Sequence, residues 1–265
     1  MKPSNTSNLL AALVLGLSTA TTFAAFSGSD DFNDNSKDLT KWGTDIVTGS
    51  AALTETNQRL EYTVAGGSAT ALRPWVANTG SFTSNWSLQL DVNLPTLALT
   101  LGQNYNIGLT VRNGDDVTDT FLTALELDDL SGTLNRRFLS ILKTNGINQG
   151  EVTSTTASTA AAIRMRYDAA STTLFSEFDA YGAVGGYNFT GFDSRSISTW
   201  NMTASSVFQA TVSGNSESGV VITSANGVAA DNFLSVPEPS SALLLLSGAA
   251  LCLRRRSLRT SERSA

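Results

Sequence analysis

Residues 86–94 read Trp-Ser-Leu-Gln-Leu-Asp-Val-Asn-Leu (WSLQLDVNL), and this stretch decides the fold class. Trp86, Leu88, Leu90, Val92 and Leu94 point one way, while Ser87, Gln89, Asp91 and Asn93 point the other. A period of two over this length is a strand with one buried and one wet face. The pattern recurs at Leu60, Tyr62 and Val64, and again at Tyr105, Ile107, Leu109 and Val111. Further strands are expected at 120–128, 137–143, 162–167, 173–179, 206–212, 220–223 and 228–234. Turn signals separate them: Gly66-Gly67, Asn113-Gly114, Ser131-Gly132, Asn145-Gly146, Gly185-Gly186, Gly214-Asn215 and Asn226-Gly227. The low-complexity run 153–162 (TSTTASTAAA) reads as a loop. No useful helical periodicity appears before the C-terminal segment, so the middle of the chain is expected to be an all-β antiparallel sandwich.

The two ends differ from this body. Residues 1–24 carry Lys2, an apolar run from Leu9 to Leu17, and small residues Thr22 and Ala24 ahead of a cleavage point, which is the pattern of a signal peptide. Near the other end, 240–253 is an apolar run of about 14 residues, or ~21 Å of helix. Counted from Ser235 it reaches about 19 residues and ~28 Å, close to a ~30 Å hydrocarbon core. Arg254, Arg255, Arg256 and Arg259 follow it and fit a cytoplasmic flank. A short C-terminal transmembrane helix is therefore expected, with the body outside.

Val236-Pro237-Glu238-Pro239, the short apolar helix and the arginine cluster together resemble the PEP-CTERM sorting signal. The resemblance covers roughly the last tenth of the chain. It implies a bacterial surface or exopolysaccharide-matrix protein, held transiently in the inner membrane and processed by an exosortase-type transpeptidase or protease. Under it, the chain divides into 1–24 (signal peptide), 25–235 (β-sandwich domain) and 236–265 (sorting signal with transmembrane helix and arginine-rich tail).

The body resembles concanavalin A-like lectin/glucanase (LamG-like) jelly rolls in three places. These are Asp30-Asp31-Phe32-Asn33-Asp34 with Leu39-Thr40-Lys41-Trp42, the stretch Arg164–Phe175, and Asp231-Asn232-Phe233. In sandwiches of that kind the first and last strands lie side by side, so Phe32 and Phe233 are expected to share one core edge.

Composition removes most other chemistry. Histidine is absent, which takes away the usual general base of serine and cysteine hydrolases and the His ligands of zinc or copper. The one cysteine, Cys252, lies in the C-terminal run, so the body has neither a disulfide nor thiol chemistry. Setting aside the ends, with Lys2, five arginines, Glu238 and Glu262, leaves a body with a charge of about −10. That field opposes nucleic acid.

Three sets of candidates remain. Glu126 and Asp128 lie two apart on a strand and share a face, as paired carboxylates flanking a sugar do. The third acid of the Glu-x-Asp-x-Glu or Glu-x-Asp-x-x-Glu glycosidase pattern is missing, because 130 is Leu and 131 is Ser. Glu177-Phe178-Asp179 repeats the spacing with the same lack. Calcium is the cofactor left open, since it needs only oxygen ligands: at Asp30, Asp31, Asp34 and Asp231, or in the loop 113–119. Trp75 and Trp200 are the better candidates for exposed glycan-stacking platforms, although burial is the expectation for each of them, and Trp86 alternates with core residues.

The resulting expectation is a non-catalytic, lectin-like exported module, structural or glycan-binding. Two alternatives stand beside it: a polysaccharide-degrading hydrolase using Glu126 and Asp128, and a self-associating adhesion or surface-layer protein.

Overall fold

The alternation read at 86–94 forms a strand, Trp86–Asn93, in the interior of a sheet. The computed structural model describes residues 25–237. Residues 1–24, expected to be a signal peptide, the apolar C-terminal run, Glu238, Pro239 and the arginines at 254–256 and 259 lie outside the described residues. No helix among the described residues is long and apolar enough to cross a membrane.

In chain order the strands are β1 (Gly28–Asp30), β2 (Ile46–Thr48), β3 (Ala51–Thr56), β4 (Arg59–Val64), β5 (Ala69–Pro74), β6 (Gly80–Ser81), β7 (Trp86–Asn93) and β8 (Asn104–Asn113). They continue with β9 (Thr120–Asp128), β10 (Asn135–Thr144), β11 (Ile147–Thr155), β12 (Ala160–Asp168), β13 (Thr173–Asp179), β14 (Thr190–Ser196), β15 (Val207–Glu217) and β16 (Ala229–Pro237). They form two eight-stranded antiparallel sheets. The first runs β14-β13-β12-β7-β16-β4-β3, with β1 also on β16. The second runs β11-β10-β9-β8-β15-β5-β2, with β6 also on β15. The last strand takes in Val236 and Pro237, whose backbones pair opposite Ser87 and Trp86.

The core lies between the sheets. Leu88, Leu90 and Val92 of β7 and Ile163, Met165 and Tyr167 of β12 come from one sheet. Ile107, Leu109 and Val111 of β8 and Phe208, Ala210 and Val212 of β15 come from the other. Beginning and end of the body meet as the resemblance implies: Asp30 pairs with Phe233. Phe32 and Phe233 both pack on Trp42, at ring-centroid distances of 5.6 and 5.1 Å, and Trp75 closes the cluster 4.9 Å from Trp42.

Several local expectations are corrected. Gly214-Asn215 is no turn; both residues sit inside β15. A Cβ on Gly214 would come within 2.3 Å of the Tyr62 ring, so this glycine serves close packing between the sheets. Residues 220–223 form no strand, only an isolated bridge from Ile222 to Val64. The low-complexity run is loop only over 156–159, because its first residues end β11 and its last begin β12. The β3–β4 hairpin turns at Asn57-Gln58 with positive φ at both residues (54° and 59°) and no glycine. Side chains hold it instead: Asn35 Oδ1 accepts from the Gln58 N–H, and Asn57 Nδ2 donates to Glu61.

Candidate functional site

Strict alternation predicts that the outward positions of β8 and β9 are wet. They are not. Asn104, Asn106 and Thr110 on β8, and Ala124, Glu126 and Asp128 on β9, are buried although they face away from the other sheet. The outer face of the second sheet is a trough of about 650 Å³ reaching from β5 to β11, and the outward row of β8 and β9 forms its floor.

Register sets the order of groups across the floor. One row runs Thr70, Asn215, Asn106, Glu126, Arg137 and is polar throughout. A neighbouring row carries Glu217, Asn104 and Asp128. In the other direction the floor turns aliphatic, with Leu72, Leu122, Leu139 and Ile141.

Glu126 and Asp128 come to one side of the trough, as the spacing predicts, but neither stands free. Arg137 of β10 places its Nε 2.7 Å from Glu126 Oε2 and 3.0 Å from Asp128 Oδ2, and its Nη2 3.1 Å from Glu151 Oε1 on β11. The third carboxylate of the group thus comes from a different strand. Arg137 had no signal in the sequence, because nothing local to β10 announces its partner on β9. Two acceptors beside this group are unpartnered: Asn104 Oδ1 and Asn106 Oδ1, on residues only 8% and 4% exposed.

Burial pushes the Glu126 carboxyl up to about 6, with Asp128 and Glu151 adding to the rise and Arg137 opposing it. A carboxyl raised in the fold contributes stability below its unfolded pKa of about 4.5, and loses that contribution as pH rises through about 6. The unfolding free energy of wild type should therefore fall, relative to that of Glu126→Gln, by up to about 2 kcal/mol from pH 4.5 to 7. Urea titrations of both proteins across that range measure it; a difference that does not vary with pH rules out the effect.

The tryptophans offered as candidate stacking platforms cannot serve that role and take the buried alternative expected for each. Trp75 is 3% exposed and Trp200 2%, and both belong to the core. Trp75 packs between Trp42 and Phe233, while Trp200 Nε1 donates to the Lys143 carbonyl. The exposed aromatics lie elsewhere: Tyr181 is 79% exposed on the glycine-rich loop 180–189, and Tyr187 of the same loop donates its hydroxyl to Asp91.

The four acids proposed for calcium are each engaged locally. Asp30 accepts from the Phe32 N–H and, at 2.7 Å, from the Trp42 indole. Asp31, Asp34 and Asp231 accept from the backbones of Asn33, Ser36 and Asn232. In the loop 113–119, Asp116 caps Thr118, Asp115 accepts from Ser206, and Asp119 accepts from the Asn145 N–H. No group of three or more acids, histidines or cysteines is placed to hold a metal among the described residues. Glu177 lies between Arg164 and Arg166, and Asp179 holds the backbones of Tyr181 and Asn188.

No protein-family model matches the chain, and no curated protein matches it. Solved structures do. Peanut lectin in complex with a nine-residue peptide aligns with a TM-score of 0.50 at 10% identity, over 82% of this chain and 100% of the lectin. The CBM2 module of the evolved Dit protein of Lactobacillus casei BL23 phage J-1 aligns with a TM-score of 0.50 at 11% identity, over 81% and 96%. The xyloglucan-locus GH43B protein of Bacteroides ovatus aligns at 0.47 and 11% identity, over 81% of this chain; the chain spans only 40% of that protein. At such identities the likeness is one of fold: the lectin at 0.50 supports a two-sheet antiparallel β-sandwich of the legume-lectin, concanavalin A-like type.

Proposed function

We propose that this chain is a non-catalytic glycan-binding module whose site is the trough on the outer face of the second sheet. One observation carries the reading: a row of buried, outward-facing amides and carboxylates runs beside an aliphatic floor in a trough that crosses several strands. Sugar chains need this combination, with apolar faces to rest on and fixed polar groups to orient hydroxyls. The lectin and the CBM2 module that share the fold lend support through their names alone.

The module is exported, on this reading, and delivered to the cell surface or exopolysaccharide matrix by way of a transient inner-membrane anchor. Residues 1–24, Val236-Pro237-Glu238-Pro239 and the arginines at 254–256 and 259 support that address. Processing beyond Pro237 would leave the described residues of β16 intact.

A hydrolase reading has one observation in its favour, the Glu126 carboxyl raised to about 6, near the range of a general acid. Against it, Arg137 sits between Glu126 and Asp128, where a glycosidic oxygen would have to lie.

Both readings meet in one experiment. The full-length protein is passed over a panel of immobilised polysaccharides, with soluble sugar release followed in parallel. Leu122→Arg places a long charged side chain in the trough from a half-exposed strand position. Retention on at least one polysaccharide, lost by tenfold or more in Leu122→Arg with melting unchanged and no sugar released, is the expected result (about 1.4 kcal/mol or more). Retention that survives the substitution removes the trough as the site, and sugar release abolished by Glu126→Gln replaces the binding module with an enzyme.

A further inference from the structure

Within the trough, hydrogen-bond acceptors and donors are out of balance at one end. Glu126, Asp128, Glu151 and Glu217 bring four carboxylates to neighbouring rows of the floor and rim, and Arg137 is the one guanidinium among them. The next cationic side chain on the lining, Lys143, lies six residues further along β10, about 20 Å away at the opposite end. The buried Asn106 lines this acidic end with its Oδ1 unpartnered, and Asn104, also on the lining, is unpartnered at the same atom. A buried acceptor without a donor costs free energy that a bound donor recovers.

These groups ask for a ligand rich in donors and positively charged. We infer that the acidic end of the trough holds a protonated amine of the glycan, so that the module selects polymers of free, de-N-acetylated amino sugar over N-acetylated or uronate-bearing ones. The inference rests on the trough being the glycan site. An ammonium carries three donors and no acceptor, which matches the surplus. An N-acetyl group has no positive charge to set against the four carboxylates. A uronate would bring like charge to them. A divalent cation fits less well than an ammonium, because Arg137 already occupies the space between Glu126 and Asp128. The remaining oxygens on β8 and β15 supply amides and the single carboxylate of Glu217.

The test uses isothermal titration of the full-length protein with three soluble probes: a glucosamine oligomer, its fully N-acetylated counterpart and an oligogalacturonate. The expected result is at least about tenfold tighter binding of the glucosamine oligomer than of either other probe, the scale of one charge-assisted contact. That preference should fall below about threefold in the double variant Glu151→Gln/Glu217→Gln, which alters two rim carboxylates and keeps the Arg137–Glu126 contact. A lysine oligomer of equal charge should not displace the sugar. Equal or tighter binding of the N-acetylated or uronate probe overturns the inference. So does a preference unchanged in the double variant, full displacement by the lysine oligomer, or calcium alone occupying the site and blocking the sugar. A neutral glycan that binds in a Leu122-dependent way without preference for the amine defeats this inference and leaves the glycan site standing. Failure of every probe and of the wider polysaccharide panel defeats both.

Discussion

Replacing Arg73 with methionine lowers the unfolding free energy by about 3–5 kcal/mol, the cost of leaving a buried charge without its partner. Arg73 lies on β5 in the second sheet and is 3% exposed. Its Nη1 is 2.6 Å from Glu55 on β3, in the first sheet, so the ion pair joins the two layers. Its Nε and Nη2 reach Asp45 at 3.1 and 3.0 Å, and Nη2 also donates to the Leu53 carbonyl. Burial raises the Glu55 carboxyl while Arg73 opposes the rise, so Glu55 loses its main counter-charge when Arg73 goes. Asp45 retains Lys37 at 2.8 Å and is less affected.

In a domain of this size each kcal/mol moves the melting temperature by roughly 2–4 °C, so a fall of about 10 °C is expected. The double variant Arg73→Met/Glu55→Leu should recover most of it, because an apolar pair in place of a buried ion pair is neutral or stabilising. Calorimetry on the three proteins decides the matter. A single variant that melts within about 2 °C of wild type means the pair is solvated and the account is wrong.

Trp42→Ala is expected to cost a comparable amount, about 3–5 kcal/mol, since it empties the centre of an aromatic cluster. Trp42 touches Phe32, Trp75 and Phe233, and its indole donates to the buried Asp30. Two components are present, ring packing and a hydrogen bond to a carboxylate. Trp42→Phe removes mainly the second and should cost about 1.5–3 kcal/mol, the range for a hydrogen bond to a charged group. Urea unfolding of both variants measures the split. If the phenylalanine variant is as unstable as the alanine one, the hydrogen bond outweighs the packing and the cluster is not the fastening described.

β7, β8 and β9 were legible because each carries its own alternation and needs no partner to be recognised. β11 and β14, nine and seven residues long, were missed because they lie at sheet edges with few buried residues and no apolar alternation, and β3 and β5 were missed as well. Short strands such as β1, β2 and β6 span two or three residues, too few for a period, and exist because a longer neighbour pairs with them. The Asn145-Gly146 turn was legible through its residue types, and both take the positive φ that such a hairpin needs (51° and 75°). The turn at Asn57-Gln58 was not, since its stabiliser, Asn35, lies 23 residues away in sequence.

The site divides in the same way. Glu126 and Asp128 could be placed on one face from their spacing alone. That they meet Arg137 and Glu151 depends on the register of β9 with β10 and of β10 with β11, which one strand's sequence does not encode. Trp75 and Trp200 were open to either reading because neither lies in an alternating run that fixes its face. The depth of the trough has no local signal either; it follows from how the whole second sheet is shaped.

The pairing partners of β7 are β12 and β16, so the middle of the first sheet joins Trp86 to Tyr167 on one side and to Pro237 on the other. The β3–β4 hairpin and the β7-β12-β13-β14 ribbon can pair earlier, but the two halves of that sheet are joined only by β16, the last of the described strands to be made. Until the last strand arrives, β1 has no edge to join and Trp42 has no Phe233 to lie against. Contacts this distant in sequence form slowly. If the chain is exported as proposed, its first sheet would close only after the carboxyl-terminal strand has come through.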